Sequence, residues 1–261
     1  MSQPFFRFRQ FVIHHDSSSM PVGTDAVLLG AWANLSMAHH ILDIGTGSGL
    51  IALMAAQRAP LARVEGIDID MPSVEQARSN VSGSPFASRV SIHHGDVREY
   101  VSSEGLFDSI LSNPPFYIND VVPPSQRRYV ARNASALPTE SLLDAVVRLL
   151  SPDGTFSVVV PSTSLALFVA LGLERDLFLA RCTQVRTVMR KPPKRVLLEF
   201  TRHRVSTAKH DDLLLHDANG LRSAEYLRLT KDFYPKSVIR IKTYHFLMTA
   251  IRKTVLYIPD S

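Results

Sequence analysis

Short apolar segments that alternate with helix-like segments limit the folds open to this chain more than any other feature. Five apolar segments predict strands, at residues 40–44, 63–69, 89–93, 107–111 and 155–160. Five segments with helical character lie between or after them, at residues 50–58, 72–81, 97–101, 139–150 and 165–173. Strands that alternate with helices form right-handed βαβ units. The sequence therefore predicts a parallel, doubly wound sheet.

The end of the pattern departs from this alternation. A turn is predicted at residues 151–154, and two further strands at residues 178–189 and 195–203 are joined by Lys191-Pro192-Pro193 in place of a helix. Strands joined by a short turn pair antiparallel. The predicted fold class is α/β, with a doubly wound, mostly parallel seven-stranded sheet that ends in an antiparallel hairpin. This ending is not usual for a dinucleotide-binding fold.

Composition excludes several classes of protein. The 261 residues are 45% hydrophobic and 20% charged, which excludes disordered, collagen-like and low-complexity chains. No apolar run approaches the roughly 20 residues of a membrane span, and the N-terminus does not resemble a signal peptide. The single cysteine, Cys182, excludes an internal disulfide and agrees with a reducing cytosol. Six of the ten histidines occur as adjacent pairs, which is not the spacing of metal ligands on a helix, so we expect no metal site. These observations together predict a cytoplasmic protein without membrane contact.

Charge is divided unevenly along the chain. Residues 1–120 carry seven basic and twelve acidic side chains, whereas residues 121–261 carry 22 basic and 12 acidic ones. Residues 181–204 hold eight basic side chains against Glu199 alone. This asymmetry is typical of a protein whose first part binds a small ligand and whose second part faces a polyanion. A solvated basic face would give the same composition.

The first candidate site is the glycine-rich segment at residues 43–49, between a predicted strand and a predicted helix. Glycines there let the backbone turn tightly and a ligand approach closely. Asp68 follows the second strand, where it can accept hydrogen bonds from both hydroxyls of a ribose, and Asp96 follows the third, where it can meet an adenine. A glycine-rich turn alone can be structural, but three acids at successive strand ends predict a nucleoside-containing ligand. The candidate contacts are Asp43, Gly45, Gly47, Gly49, Asp68, Ile69, Asp96 and Val97.

The second candidate site is Ser112-Asn113-Pro114-Pro115-Phe116, directly after the fourth strand. Two prolines fix the backbone and remove two N–H donors. The Asn113 side chain and the Pro114 carbonyl can then accept the two hydrogens of an NH₂ group, while Phe116 stacks on the ring that bears it. Such acceptors orient the lone pair of a poor nucleophile, an adenine amino nitrogen, without a general base. A plain Pro-Pro turn is the alternative.

These residues resemble known motifs. Residues 43–49, Asp68 and Asp96 resemble the binding motifs of class I S-adenosylmethionine-dependent methyltransferases, whose fold also ends in an antiparallel hairpin. Asn113 to Phe116 resembles the motif of amino-group methyltransferases, which act on adenine N6, cytosine N4 or a glutamine amide. The resemblance implies S-adenosylmethionine as the cofactor, with Asp43 facing its methionine amino group. It implies that Asn113, Pro114 and Phe116 are catalytic and that Asn113 also contacts the cofactor.

Segments near both ends of the chain resemble one particular family within this class. Residues 6–11 and 19–32 resemble the start of the bacterial tRNA(Val) adenine-N6 methyltransferase family, and residues 217–234 resemble its C-terminal signature. The family methylates the adenosine beside the anticodon. The implied organisation is a lid or substrate segment at residues 1–34, the methyltransferase domain at 35–204 and an extension at 205–261 packed on that domain. Thr24 or Asp25 can cap the helix at 26–33, and the resemblance places both near the cofactor.

The sequence departs from the family's pattern at two points, and these limit what the resemblance implies. Phe116 stands where a tyrosine is common in these motifs, so stacking is retained without a phenol hydroxyl. Residues 235–261 extend past the part that resembles the family. Their apolar and basic pattern favours packing against the domain, with an added RNA contact as the alternative.

Basic side chains are the candidates for contacts with tRNA phosphates, which give salt-dependent affinity without sequence preference. A single-stranded anticodon loop lets the target adenine leave its stack at low cost. We expect a monomer that binds tRNA. Two alternatives remain open: methylation of an rRNA adenine or a protein glutamine amide, and a non-catalytic nucleoside-binding protein or dinucleotide oxidoreductase. The candidate RNA contacts are Arg7, Arg9, Arg127, Arg128, Arg132, Arg190, Lys191, Lys194 and Arg195.

Overall fold

An eight-stranded sheet runs through the part of the chain that the computed structural model describes, residues 5–15, 22–115 and 137–235. A separate two-stranded sheet pairs β1 (Phe5–Arg7) with β2 (Val12–His14). The strands of the large sheet are β3 (His40–Ile44), β4 (Arg63–Asp68), β5 (Val90–His94), β6 (Phe107–Ser112), β7 (Leu150–Pro161), β8 (Phe178–Arg186), β9 (Arg195–Thr201) and β10 (Lys209–Leu214). Their spatial order is β10-β8-β9-β7-β6-β3-β4-β5.

The five strands from β3 to β7 are parallel neighbours, whereas β9 pairs antiparallel with both β7 and β8. This arrangement confirms the predicted fold class and the terminal hairpin. The sheet nevertheless has eight strands, not seven, because β10 adds to β8 in parallel. The sequence pattern missed β10 because it is an edge strand whose side chains are mostly exposed and polar.

Helices cover both faces of the sheet. Neighbouring residues in β3 point to opposite faces, so Ile41 and Leu42 belong to different apolar clusters. The described helices are α1 (Thr24–Trp32), α2 (Leu50–Arg58), α3 (Met71–Ser82), α4 (Thr139–Leu149), α5 (Leu165–Leu173) and α6 (Ala224–Thr230), with a 3₁₀ turn at Ser162–Ser164. One face of the sheet packs against α1, α2, α3 and the small sheet, and the other against α4 and α5.

Three local predictions were wrong. Residues 97–101 form a turn instead of a helix, since five residues give too few hydrogen bonds to offset helix nucleation. Residues 151–154 do not form a separate turn before the strand: β7 begins at Leu150, and they form an irregularity between its pairings with Phe107 and Ser109. The N-cap of α1 is Gly23, and neither Thr24 nor Asp25 caps it with a side chain.

The N-terminal segment is built into one face of the fold. Phe8, Phe11 and Ile13 are buried in the same cluster as α1 and α2. Asn80 of α3 fixes this segment, because its amide bonds both the N–H and the carbonyl oxygen of His14. The boundaries at residues 34 and 204 stay predictions, but β10 extends the large sheet beyond residue 204. No helix among the described residues is long and apolar enough to cross a membrane.

Candidate active site

Four neighbouring parallel strands end at one edge of the large sheet, and the predicted ligand residues follow them in spatial order. Asp96 follows β5, Asp68 closes β4, the glycine loop (residues 45–49) follows β3 and Asn113 follows β6. Three strand spacings of about 4.8 Å make this row about 14 Å long, which matches an extended nucleoside ligand. Ligands of open parallel sheets bind at the carboxyl ends of the strands.

The glycine loop combines an open side with a packed side. Gly45, Gly47 and Gly49 have φ angles of 70°, 54° and 81°, in the left-handed region that other residues avoid. A Cβ atom added to Gly45 or Gly47 would have no neighbour within 4 Å, whereas one on Gly49 would lie 3.3 Å from Cβ of Ala77. Gly45 and Gly47 therefore leave room for a ligand, and Gly49 serves the packing of the loop on α3.

Asp43 lies beneath the loop and is completely buried. One carboxylate oxygen accepts hydrogen bonds from the Thr46 hydroxyl at 2.7 Å and from the N–H of Ala52 at 3.1 Å. Its other oxygen has no partner among the described residues. Burial raises the pKa of Asp43 to about 7, against the lowering effect of these two hydrogen bonds. A buried acceptor that lacks a donor fits a cationic ligand group at this position, directly or through water.

Asp68 connects β4 to the glycine loop. Its carboxylate accepts the N–H of Gly47 at 2.9 Å and the N–H of Asp70 at 2.9 Å. Each oxygen retains a second lone pair, so the side chain can also accept hydrogen bonds from a ribose. Burial raises the pKa of Asp68, although these N–H groups oppose the effect.

The sequence reasoning missed two residues that support this arrangement. Thr46 holds Asp43, and Asp70 caps α3 by accepting the N–H of Ser73 at 3.1 Å. Pro72 in the first turn of α3 was a usable signal for the cap, because proline is favoured just inside a helix start.

The edge at β5 is more open. Arg98 holds Asp96 with its Nε at 2.9 and 2.8 Å from the two carboxylate oxygens, and this hydrogen bonding lowers the pKa of Asp96. Val97 is buried, whereas Ile69 is 41% exposed beside Asp68. An exposed isoleucine at this point offers an apolar surface for the face of a base.

Asn113 stands beside the glycine loop. Ser112 pairs with Ile44 across β6 and β3, and its hydroxyl donates to the Ile44 carbonyl at 3.0 Å. The residues that follow these two strands, Asn113 after β6 and Gly45 after β3, therefore leave the sheet next to each other. Asn113 is half-buried and Pro114 is buried. Phe116, Arg127, Arg128 and Arg132 lie outside the described residues.

The remaining predicted residues fall into two groups. Thr24 and Asp25 form the first turn of α1, and Asp25 accepts a hydrogen bond from Arg195 at 2.7 Å. The exposed basic residues are Arg7 and Arg9 near β1, and Arg190, Lys191 and Lys194 between β8 and β9. Among the described residues no group of three or more His, Cys, Asp or Glu side chains could hold a metal ion.

The fold and the order of the strand ends are those of a class I methyltransferase. Residues 22–166 match the family described as "Methyltransferase small domain". A solved structure of a predicted O-methyltransferase from Agrobacterium tumefaciens has a TM-score of 0.62 at 17% identity, covering 80% of this chain and 96% of its own. A methyltransferase from Pyrococcus furiosus has a TM-score of 0.57 at 20% identity, covering 74% and 90%.

Closer relatives specify the family. The chain is 43% identical to the tRNA1(Val) (adenine(37)-N6)-methyltransferase of Phocaeicola vulgatus, over 90% of this chain and 99% of that protein. Proteins of the same name from Porphyromonas gingivalis (strain W83) and Vibrio campbellii are 43% and 38% identical, over 91% and 88% of this chain and 97% and 95% of theirs. The chain belongs to the tRNA1(Val) (adenine(37)-N6)-methyltransferase family.

Proposed function

We propose that this protein transfers a methyl group from S-adenosylmethionine to the N6 amino nitrogen of adenosine 37 in tRNA1(Val). The observation that carries the proposal is the pairing of Ile44 with Ser112, since it sets Asn113 beside the open side of the glycine loop. The residues proposed for the amino group and those proposed for the nucleoside cofactor thus lie at adjacent strand ends. The names of the relatives supply the nucleotide and the tRNA.

The residues of the edge fit S-adenosylmethionine. The free oxygen of Asp43 suits its ammonium group, Gly45 and Gly47 leave room for its backbone, and Asp68 has lone pairs for its ribose hydroxyls. Ile69 and Asp96 remain the proposed contacts for its adenine. When bound, the cofactor supplies a methyl group that is electrophilic because it is attached to a sulfonium.

The chain's own residues orient the acceptor. The Asn113 side-chain oxygen and the Pro114 carbonyl accept the two hydrogens of the adenine amino group. This contact aims the nitrogen lone pair and stabilises the positive charge that develops on N6 during transfer. Phe116, two residues after Pro114, is the proposed stacking partner of the ring. Positioning and electrostatics therefore supply most of the rate, and no base has to act before attack.

A labelled methyl donor tests the proposal directly. The purified protein is offered unmodified tRNA, rRNA and a release factor in parallel, and the labelled nucleoside or residue is identified by mass. We expect N6-methyladenosine at position 37 of tRNA1(Val). Label in rRNA or in a glutamine amide would retain the role of Asn113 and overturn the substrate. The absence of label in all three samples, with the cofactor bound, would contradict the proposal.

A further inference from the structure

The structure divides the eight basic side chains of residues 181–204 into four arginines that are held by other elements of the fold, three side chains between β8 and β9, and Arg204, whose guanidinium lies over the Phe178 ring. The partners of the four held arginines are Glu199 for Arg181, Asp212 for Arg186, Asp25 for Arg195 and the carbonyl oxygen of Val147 for Arg202. A guanidinium that is bound within the fold is a poor candidate for an external anion, because the internal contact has to be given up first.

The remaining charge is concentrated between β8 and β9, in residues 187–194, here called the basic turn. Arg190, Lys191 and Lys194 are exposed there, and none forms an ion pair with a carboxylate in the described part of the chain. Met189 beside them is 70% exposed. Three cations without an internal counter-charge form a surface that favours a polyanion.

The backbone of the basic turn is fixed. The N–H of Lys191 donates to the carbonyl of Val188 at 3.0 Å, and the N–H of Lys194 donates to the carbonyl of Val185 at 3.0 Å. Two consecutive prolines between these lysines restrict the remaining φ angles. Because the backbone is already ordered, the side chains bind a partner at a lower entropic cost than a free loop would.

The basic turn lies at the same edge of the sheet as Asn113. Arg195, which follows the turn, pairs with Pro161 at the carboxyl end of β7. Ser162 attaches the turn there, since its N–H donates to the Lys194 carbonyl at 3.2 Å and its hydroxyl to the Pro193 carbonyl at 2.7 Å. β7 separates β9 from β6, so the end of the turn that enters β9 lies two strand spacings, about 10 Å measured across the sheet, from the strand that carries Asn113.

We propose that the basic turn binds the phosphate backbone of the tRNA next to the methylated adenosine, through Arg190, Lys191 and Lys194. A nucleotide whose base reaches Asn113 brings its neighbours' phosphates to this side of the edge. Arg195 lies outside this surface because Asp25 holds its guanidinium. The inference rests on the proposed function, since it assigns the surface on which that substrate lies.

Removal of the three charges tests the inference. The variant R190A/K191A/K194A is compared with Arg204→Ala, which removes an exposed arginine from the opposite end of β9, beside the Phe178 ring. We measure the affinity for unmodified tRNA at several salt concentrations without turnover, and then kcat, KM and cofactor affinity. Affinity falls as salt rises, and each lost phosphate contact makes the slope of log affinity against log salt less steep by roughly 0.7–0.9. The slope of the triple variant should therefore be less steep by about two to three.

The expected result is a tRNA Kd and KM raised by roughly tenfold to a hundredfold at about 150 mM salt, with kcat and cofactor affinity retained and the Arg204 variant unchanged. An unchanged salt slope in a triple variant that keeps its thermal unfolding temperature would overturn the inference. An equal loss in the Arg204 variant would also overturn it, since net charge alone would explain the effect. Failure of the wild-type protein to methylate tRNA would count against the proposed function, whereas the salt slope is measured without methylation.

Discussion

The two sides of the sheet edge are built in opposite ways. On the cofactor side, Asp43 and Asp68 are buried carboxylates whose hydrogen bonds go to the glycine loop and to the start of α2. On the tRNA side, the basic turn leaves three cations exposed on a backbone fixed by Ser162. One side encloses charge in the protein and the other presents charge to solvent.

The difference follows from the size of the two ligands. A small ligand can be surrounded, so its site uses close backbone approach and buried acceptors whose orientation is set before binding. A polyanion as large as a tRNA cannot be enclosed, and its affinity comes from exposed cations that meet phosphates. We therefore expect variants on the first side to alter cofactor binding and variants on the second to alter the salt dependence of tRNA binding.

Asn113 stands where the two sides meet, and its replacement should have the largest effect. Asn113→Ala removes the proposed acceptor of the amino-group hydrogens, and we expect methyl transfer to slow by roughly 10²–10³-fold. Cofactor affinity should stay within about threefold, because the glycine loop and Asp68 are untouched. Single-turnover rates and calorimetric titration with S-adenosylmethionine measure the two quantities. Loss of cofactor binding would show instead that Asn113 acts mainly on the cofactor, through the contact that the resemblance implies or by supporting the loop.

Glu65 differs from Asp43, because it is a buried carboxylate of β4 whose two oxygens both have hydrogen-bond partners. It accepts hydrogen bonds from His40 at 2.7 Å, from Ser102 at 2.9 Å and from Tyr100. Burial alone would raise the pKa of Glu65, but these bonds lower it to about 2 from an ordinary value of 4.5. A lowered pKa stabilises the fold above the unfolded value, and this contribution is lost as the pH falls from about 4.5 toward 2.

Replacement of this carboxylate should remove that pH dependence. We expect Glu65→Gln to cost about 2–3 kcal/mol in the free energy of unfolding at pH 6, and to flatten the decline of stability between about pH 4.5 and 2. Urea unfolding across this range measures both effects. Cofactor affinity serves as the internal control, since the hydrogen bonds of Glu65 go to His40, Tyr100 and Ser102 and not to the glycine loop. An unaltered pH profile would mean that other carboxylates cause the acid sensitivity.

Replacement of Asp68 tests whether one side chain both accepts hydrogen bonds from the ribose and holds the glycine loop through the N–H of Gly47. Asp68→Ala removes acceptors for the ribose and for the N–H of Gly47, so cofactor affinity should fall by about 1–3 kcal/mol. Asp68→Asn is the matched variant, because it keeps one acceptor oxygen and the side-chain volume, and it should lose less. Calorimetric titration of both variants gives the comparison. A neutral result for the alanine variant would contradict the ribose contact.

How far the sequence could predict this molecule depends on the distance between partners along the chain. The glycine loop and Asp68 were predictable because each motif lies directly after its own strand. The fate of the arginines was not, because Arg195 meets Asp25 across 170 positions and Arg181 meets Trp32 and Glu199 through the folded sheet. Composition counts a buried or paired arginine and an exposed one alike. The sequence did not predict β10 for a related reason, since its polar residues form a strand only by pairing with β8.

The ion pair between Asp25 and Arg195 should give the smallest effect, and it marks the boundary between the two sides. Both side chains are more than a third exposed, so solvent screens the pair and its coupling should stay below about 1 kcal/mol. A double-mutant cycle with Asp25→Ala and Arg195→Ala, followed by urea unfolding, measures this coupling. The salt slope for tRNA should change less in Arg195→Ala than in the triple variant of the basic turn. A slope change as large as that caused by one lost phosphate contact, with no coupling energy between Arg195 and Asp25, would show that Arg195 belongs to the surface that binds tRNA. That surface would then extend from the basic turn to α1.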